Sequence, residues 1–553
     1  MLKKLLIPTI FFLIVTAIIA GTGLYFENQP PALAAGNIYY VDPDWTGAEN
    51  GTASQPWSAL NSATWVAINN SLTNGDVTIY FSAREANSDI GEMYGGRLSI
   101  YRTSTSSYRL TVDGMSKWNT DDTYPSWQDY MGNSKLKLSP SASIALGWYE
   151  AQQDNITMRG FEVSGSVARV MFAGDNLIVE HIYSHDITTN GATVQMAYAN
   201  NDSCIETYGR FSNVIIRNNY IENGYGESIY VGGTNSCPSY GNSHDNILIE
   251  NNTIINAGVN GAQGDGIDVK NGITNVTVRG NTIIGARNLG ITAAGVYSGN
   301  QNLLIENNKI YGGLNRGIQV GSGTWSAYAN GATIRNNIVY NNTDVGISIT
   351  GSGQGSQNIN IYNNTVYGNG KMGLSYGTVN NHNSKNNLVF ANNNNGNQIS
   401  IWGTNTNIVS DYNLYSPSGG YGSEGTNSLI VSDASGLVIN AVNGDFNLKS
   451  GSQAIDSGIT LVDFYKDYSD TLRPQGLAWD IGAYEYIQAP PPPPPPPLKG
   501  DFNSDSKVND ADFLSLKNVF KNIVSALNSI FDLNSDSAID VKDLGVLMSG
   551  WRL

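Results

Sequence analysis

Asp175-Asn176-Leu177-Ile178-Val179-Glu180, Ser212-Asn213-Val214-Ile215-Ile216-Arg217 and Asp245-Asn246-Ile247-Leu248-Ile249-Glu250 are versions of one short phrase. Thr274-Asn275-Val276-Thr277-Val278-Arg279 and Gln301-Asn302-Leu303-Leu304-Ile305-Glu306 repeat it. The anchor positions are Asn155, Asn176, Asn213, Asn246, Asn275, Asn302, Gly331 and Asn358, and from Asn213 onward they are 33, 29, 27, 29 and 27 residues apart. In each repeat apolar residues alternate with period two, then the chain turns at an Asn pair such as Asn251-Asn252 or Asn307-Asn308. A second short strand with Ile or Val follows, then a Gly-rich turn. Period two marks a strand with one buried face. Repeats of this length, built from short strands and turns, stack into a parallel β-solenoid. Equivalent residues then lie about 4.8 Å apart on successive coils.

The residue four places after each anchor tests that stacking. It reads Arg159, Glu180, Arg217, Glu250, Arg279, Glu306, Arg335, with the sign alternating throughout. Opposite charges on neighbouring strands attract and like charges repel, so these residues are assigned to structure and left out of the search for catalytic groups. The composition agrees with a stacked architecture. Charged residues make up 14% of the 553, against about 25% in an ordinary soluble protein, and there are 61 Gly. An apolar fraction of 40% excludes general disorder. The net charge of −16 argues against nucleic acid, whose phosphates need basic clusters. Two Cys exclude a disulfide scaffold, and four His disfavour a His-built metal site.

The two ends differ from the body. Lys3 and Lys4, the apolar run Leu5 to Ala20 and the small residues Ala32 and Ala34 predict a signal peptide over 1–34; left uncleaved, the segment would be a membrane anchor. Either way the folded part is expected outside the cytoplasm, secreted or at the cell surface. Eight prolines, Pro490 to Pro497, predict an extended spacer within a 488–498 linker. Beyond it two matching loops lie 31 residues apart. Asp501, Asn503, Asp505 and Asp512 offer side-chain oxygens at loop positions 1, 3, 5 and 12, with the Lys507 carbonyl at 7. Asp532, Asn534, Asp536, Asp543 and the Ala538 carbonyl repeat the set. Such spacing suits Ca²⁺, and an apolar helical pattern follows each loop. Residues 499–553 resemble a dockerin, a module that implies calcium binding and a cohesin partner. Ser506 and Ser537 stand at the sixth loop position, where Gly ordinarily makes the sharp turn.

Near the start of the body, Tyr39-Tyr40-Val41-Asp42-Pro43, Gly51-Thr52 and Pro56-Trp57 resemble the opening of secreted proteins of the pectate-lyase-like β-helix superfamily. Asp445-Phe446-Asn447-Leu448, Ala454-Ile455-Asp456, Arg473-Pro474 and Asp480-Ile481-Gly482-Ala483-Tyr484-Glu485 resemble the closing segment of many such proteins. The expected architecture is an all-β, right-handed parallel β-helix over 37–487, followed by a small α-helical domain with a duplicated calcium loop.

A second column runs through the strand after the Gly-rich turn: Ile205-Glu206-Thr207, Ile229-Tyr230-Val231, Ile267-Asp268-Val269, Ile291-Thr292-Ala293, Ile318-Gln319-Val320 and Ile347-Ser348-Ile349. Its middle residue is expected to face solvent. Most charge outside the ladder collects here: Glu206, Glu227, Asp265, Asp268 and Lys270, with Arg316 further along. Adjacent outward carboxylates repel unless something binds them, and Ca²⁺ is the simplest partner. A cation beside Lys270 suits β-elimination on a uronate polysaccharide. The cation would bind the substrate carboxylate, and a neutral Lys270, its pKa lowered by cation and burial, would take the C5 proton. Asp268 and Arg316 complete the predicted catalytic group, and Glu206, Glu227 and Asp265 form the substrate or metal face. Gly264-Asp265-Gly266-Ile267-Asp268-Val269-Lys270 also resembles the active region of lysine-dependent, calcium-assisted polysaccharide lyases.

Two other readings stand beside this one. Glu206 with Asp268, or Glu227 with Asp265, could serve a glycoside hydrolase, at about 9.6 Å and about 5 Å on stacking geometry. The same residues could be structural pairs in a noncatalytic carbohydrate-binding or surface protein. Weaker candidates are His185-Asp186, Glu150, Cys204 with Cys237 as a disulfide or free thiols, and Tyr225, Tyr230, Trp325 and Tyr328 as sugar-stacking rings.

Overall fold

The structure, a computed structural model, describes residues 37–550 except 43–44, 82–96, 104, 115–135, 138–142, 147–152, 166–169, 189–192, 197–210, 233–243, 260–262, 271–272, 294–299, 323–327, 352–354, 394–395, 418–423, 463, 489–497 and 521–527. The expectations for 1–34, Glu150, Cys204, Glu206, Cys237, Trp325 and Pro490–Pro497 lie outside the described residues. The chain divides into two compact units, 1–487 and 488–553.

In the first unit, three sheets of thirteen, twelve and eleven strands each take one strand from every coil. One coil supplies His244–Glu250, Thr253–Ile255 and Ile267–Val269; the next supplies Ile273–Arg279, Thr282–Ile284 and Ile291–Ala293. We term these the anchor, turn and third sheets. Pairing between coils is parallel and in register, so Ile249, Val278, Ile305, Ile334 and Ile361 form one fully buried column. This is a parallel β-helix, as the repeat predicts.

The two residues of each Asn pair have different tasks. The first makes the corner: Asn251 and Asn307 have φ of 55° and 56°, and Gly280 takes the same corner at 65°. This left-handed region suits Asn and Gly better than other residues. The second points inward. Asn219, Asn252, Asn281, Asn308, Asn337, Asn364, Asn387 and Asn413 are buried, and from Asn219 to Asn387 each Nδ2 donates to the next one's Oδ1 at 2.9–3.0 Å. The ladder satisfies buried polar groups that would otherwise cost stability.

The charge ladder forms as read and begins one coil earlier, at Asp113. Arg159 lies 2.8 Å from Asp113, and Glu180–Arg217, Glu250–Arg279 and Glu306–Arg335 each close to 2.7 Å. At one end the helix Ser62–Ser71, capped by Asn61, buries Trp65 and Ile68. Toward the other, Phe446, Leu448, Ile481 and Ala483 pack with Tyr340, Leu388, Phe390 and Leu414 of the turn sheet and its neighbours. Asn363 Nδ2 donates to the Asp480 carbonyl at 3.0 Å, and the Arg473–Glu485 ion pair is fully buried. The segment read as a closing motif therefore covers apolar side chains along the solenoid wall.

In the second unit, helices Asp510–Val519 and Val541–Ser549 each begin with a capping box, Asn509 with Asp512 and Asp540 with Asp543. Val508, Leu516, Leu533, Ile539 and Leu547 form its core. Ser506 and Ser537 take φ of 66° and 67°, so each sharp turn is made without the glycine that ordinarily eases it. Among the described residues no helix is long and apolar enough to cross a membrane.

Candidate functional site

Ile267 and Val269 project into the core, which turns Asp268 the other way. The expectation that this residue meets solvent is corrected: Asp268 is fully buried, and its register neighbours Tyr230 and Thr292 are buried with it. The cover comes partly from Lys270, two residues on, whose Nζ reaches back to 2.8 Å from Asp268 Oδ2 and 5.9 Å from the centre of the Tyr230 ring. Tyr230 is thus packed under the lysine, not presented as a sugar-stacking ring.

Glu227 and Asp265 join from adjacent coils, where Ser228 N donates to the Asp265 carbonyl at 2.9 Å. On the other side of the Asp265 coil, Gly266 lets the following coil approach: a Cβ at that position would stand 2.5 Å from the Gly290 carbonyl oxygen. Glu227, Asp265 and Asp268 are all buried, and each offers a carboxylate oxygen within 4.8 Å of the others. Asp265 Oδ1 accepts from Asn288 Nδ2 at 2.7 Å and from Leu289 N at 2.9 Å. Asp268 is different. Lys270 Nζ pairs with its Oδ2 at 2.8 Å, and its Oδ1 is buried with no hydrogen-bond donor among the described residues. Three buried carboxylates face one ammonium, a formal balance of −2.

The electrostatics follow from that balance. Burial pushes the Asp268 and Asp265 carboxyls above their ordinary range, against the pull of Lys270 and, for Asp265, of its two hydrogen-bond donors. Burial opposes the Lys270 charge, but Asp268, Asp265 and Glu227 outweigh it and raise its pKa. In the field of the protein alone Lys270 is therefore an ammonium, contrary to the lowered value expected of a base.

Arg316 does not join the cluster. It sits two coils on, with Nε 3.3 Å from Asp344 Oδ2 and Nη1 donating to Gln319 Oε1 at 2.7 Å. His185 is no isolated imidazole: it stands 3.0 Å from Glu162 and 2.9 Å from Asp186, stacked on Tyr183. Sequence reading missed Asn288, which holds Asp265, and the exposed Trp402. Stacking of the third-sheet strands places Trp402 beside Gly377, a signal available from the repeat. In the second unit Asp501, Asp505 and Asp512 bring carboxylate oxygens within 4.8 Å of one another. In the second loop Lys542 Nζ holds Asp536 at 2.8 Å.

A family model described as "right handed beta helix region" matches residues 212–389. The parallel coils fit a β-helix of that kind. No curated protein matches the chain. Among solved structures, pectate lyase Pel9A is 14% identical, with a TM-score of 0.39 over 82% of this chain and 98% of that one. XylC in complex with xylose is 12% identical, with a TM-score of 0.44 over 81% and 99%. The A-module of the Azotobacter vinelandii mannuronan C-5 epimerase AlgE4 is 14% identical, with a TM-score of 0.39 over 71% and 94%.

Proposed function

We propose that the protein is a secreted or cell-surface polysaccharide-degrading β-helix whose buried carboxylate cluster holds Ca²⁺ and whose Lys270 serves β-elimination on a uronate polysaccharide. The observation that carries this reading is Asp268, fully buried with one oxygen held by Lys270 alone and the other without a hydrogen-bond donor among the described residues, beside two further carboxylates. A hard divalent cation needs such an oxygen set. Once bound it would supply charge opposite the substrate carboxylate and offset Asp268, favouring loss of the Lys270 proton. Glu227, Asp265 and Asp268 would hold the ion, and Asn288 fixes the orientation of Asp265. Lys270 would take the C5 proton at Nζ. Arg316 belongs to binding in this scheme, since Asp344 and Gln319 hold it away from Lys270.

The hydrolase reading keeps one specific support: Glu227 and Asp265 are near the separation of about 5–5.5 Å used by retaining enzymes. The noncatalytic reading draws on the close Lys270–Asp268 pair. Residues 499–553 are proposed as a dockerin-like module, supported by the duplicated loop and the gathered carboxylates of the first copy. It would take calcium at both loops and bind a cohesin.

The test is absorbance of unsaturated uronates on pectate, alginate and glycosaminoglycans, with calcium and with chelator. Absorbance that rises with calcium and disappears in Lys270→Met supports the lyase. New reducing ends without absorbance support hydrolysis, and no product on any substrate refutes the catalytic reading.

A further inference from the structure

Beside the acidic cluster lies a groove of about 480 Å³, lined in part by Asn288, Asn315, Arg316, Gln319, Asp344 and Trp402. It is continuous with the cluster through side-chain amides: Asn315 Nδ2 donates to Asn288 Oδ1 at 2.9 Å, and Asn288 donates to Asp265. The register Asp268, Thr292, Gln319 puts Gln319 two coils from Asp268, about 10 Å along the solenoid axis.

Two features give the groove a chemical preference. Among the described residues Trp402 is the exposed tryptophan, at 48%, whereas Trp45 is half-buried and Trp57, Trp65 and Trp479 are buried. Its ring lies against the backbone of the preceding coil, because a Cβ on Gly377 would stand 2.2 Å from Trp402 Cε2. Trp402 Nε1 donates to Ser375 Oγ at 3.2 Å. An indole held on one face and one edge, with its other surface in water, is a platform for the apolar face of a sugar ring. The second feature is charge. Asp344 serves two cations, Arg316 Nε at 3.3 Å and Lys371 Nζ at 3.0 Å. The trio carries one positive charge in a chain of net −16. Arg316 is held in place through Gln319 and Asp344, and its Nη2 makes no hydrogen bond among the described residues.

We propose that this groove is a saccharide subsite for an acidic sugar residue, with Trp402 stacking on the ring and Arg316 pairing with the carboxylate. A polysaccharide lying along the coils would engage it and the cluster together. The choice of an acidic ligand rests on the uronate reading; the site itself requires no catalysis.

Calorimetric titration of the full chain with oligogalacturonate and oligomannuronate, beside their carboxyl-reduced counterparts, tests it. Acidic oligomers are expected to bind at least tenfold tighter than reduced ones. Trp402→Ala should weaken both sets about tenfold, with Trp402→Phe restoring most of the loss. Arg316→Gln should remove the preference for acid and leave binding of the reduced oligomers. Unchanged unfolding midpoints confirm that the variants are folded. Wild-type affinity in both variants, equal affinity for acidic and reduced oligomers, or no binding of any oligomer overturns the subsite. Binding that depends on Trp402, in a protein that degrades no uronate, keeps the subsite and refutes the lyase. Lyase activity with unaltered affinity and KM in Trp402→Ala does the reverse.

Discussion

Asn281→Ala tests whether the inner asparagine ladder holds the coils together. Asn281 is fully buried and makes five side-chain hydrogen bonds. Its Oδ1 accepts from Asn252 N at 2.9 Å and Asn252 Nδ2 at 3.0 Å. Its Nδ2 donates to the carbonyls of Ile249 and Arg279 and to Asn308 Oδ1, each at 3.0 Å. Not every partner is orphaned by truncation. Asn308 Oδ1 still accepts from Asn281 N, the Arg279 carbonyl from Asn251 N, and Asn252 Nδ2 still reaches the Ile216 carbonyl. The Asn252 N–H loses its acceptor in a place without water. An orphaned buried donor costs about 1–3 kcal/mol and each ordinary hydrogen bond about 1 kcal/mol net, so the expected loss is about 4 kcal/mol. The control is Asn275→Gly, six residues earlier. Asn275 is exposed with φ of 53°, a conformation glycine adopts freely, so the change should stay within about 1 kcal/mol. Urea unfolding followed by circular dichroism measures both, with m-values compared because solenoids can unfold in parts. A loss below about 1 kcal/mol for Asn281→Ala, or equal losses in the two variants, would refute the assignment.

Four further outcomes follow from the charges. Because burial raises the Asp265 and Asp268 pKa values, the chelated folded protein binds protons more tightly than the unfolded chain; its stability should fall as pH rises from about 4 through the raised values. Saturating calcium should flatten that slope, and a thermal unfolding series across pH, with and without the ion, reads it. Asp268→Asn should shrink that slope in chelator and abolish most of the calcium-induced rise in melting temperature, itself worth about 2.7 kcal/mol at a hundredfold excess over Kd; a full rise in the variant would refute ligation by Asp268. Arg473→Met leaves Glu485 buried without its ion-pair partner and should cost about 3–5 kcal/mol. Arg217→Gln, in a half-buried ladder rung, should cost about 1 kcal/mol by the same unfolding assay.

The β-helix was legible because one residue type repeats at one place on every coil. Asn176, Asn213 and Asn246 each make a corner, and the charges four residues later pair across coils as their signs require. The repeat also located Glu227, Asp265 and Asp268 on one outward face. It did not show that the face was covered. Coil register says which way Asp268 points, but burial depends on how far Lys270 folds back and on the bulk of Tyr230, which are matters of rotamer and packing. The pairing of Arg316 with Asp344 was unreadable for a related reason: spacing along one strand does not show which carboxylate an arginine will reach. Asn288 was unreadable because an Asn in a solenoid turn is so common that one holding a carboxylate carries no mark.

The two sets of buried or half-buried charge obey different rules, and the contrast bears on function. In the ladder every carboxylate has its own guanidinium: Glu180 with Arg217, Glu250 with Arg279, Glu306 with Arg335. A structural charge column is therefore neutral pair by pair across neighbouring coils, which is what a low-dielectric wall requires. The third-sheet cluster departs from that rule within the same coils. Glu227, Asp265 and Asp268 share Lys270, a formal deficit of two charges when all three are ionised, and burial raises two of the pKa values in response. If the cluster served stability alone, replacing Asp268 by Asn would remove a buried charge and should stabilise the protein whether or not calcium is present. If the deficit of two charges is met by a divalent ion, the same replacement stabilises only in chelator and destabilises relative to wild type once calcium is added. The sign of that difference separates a packing accident from a site.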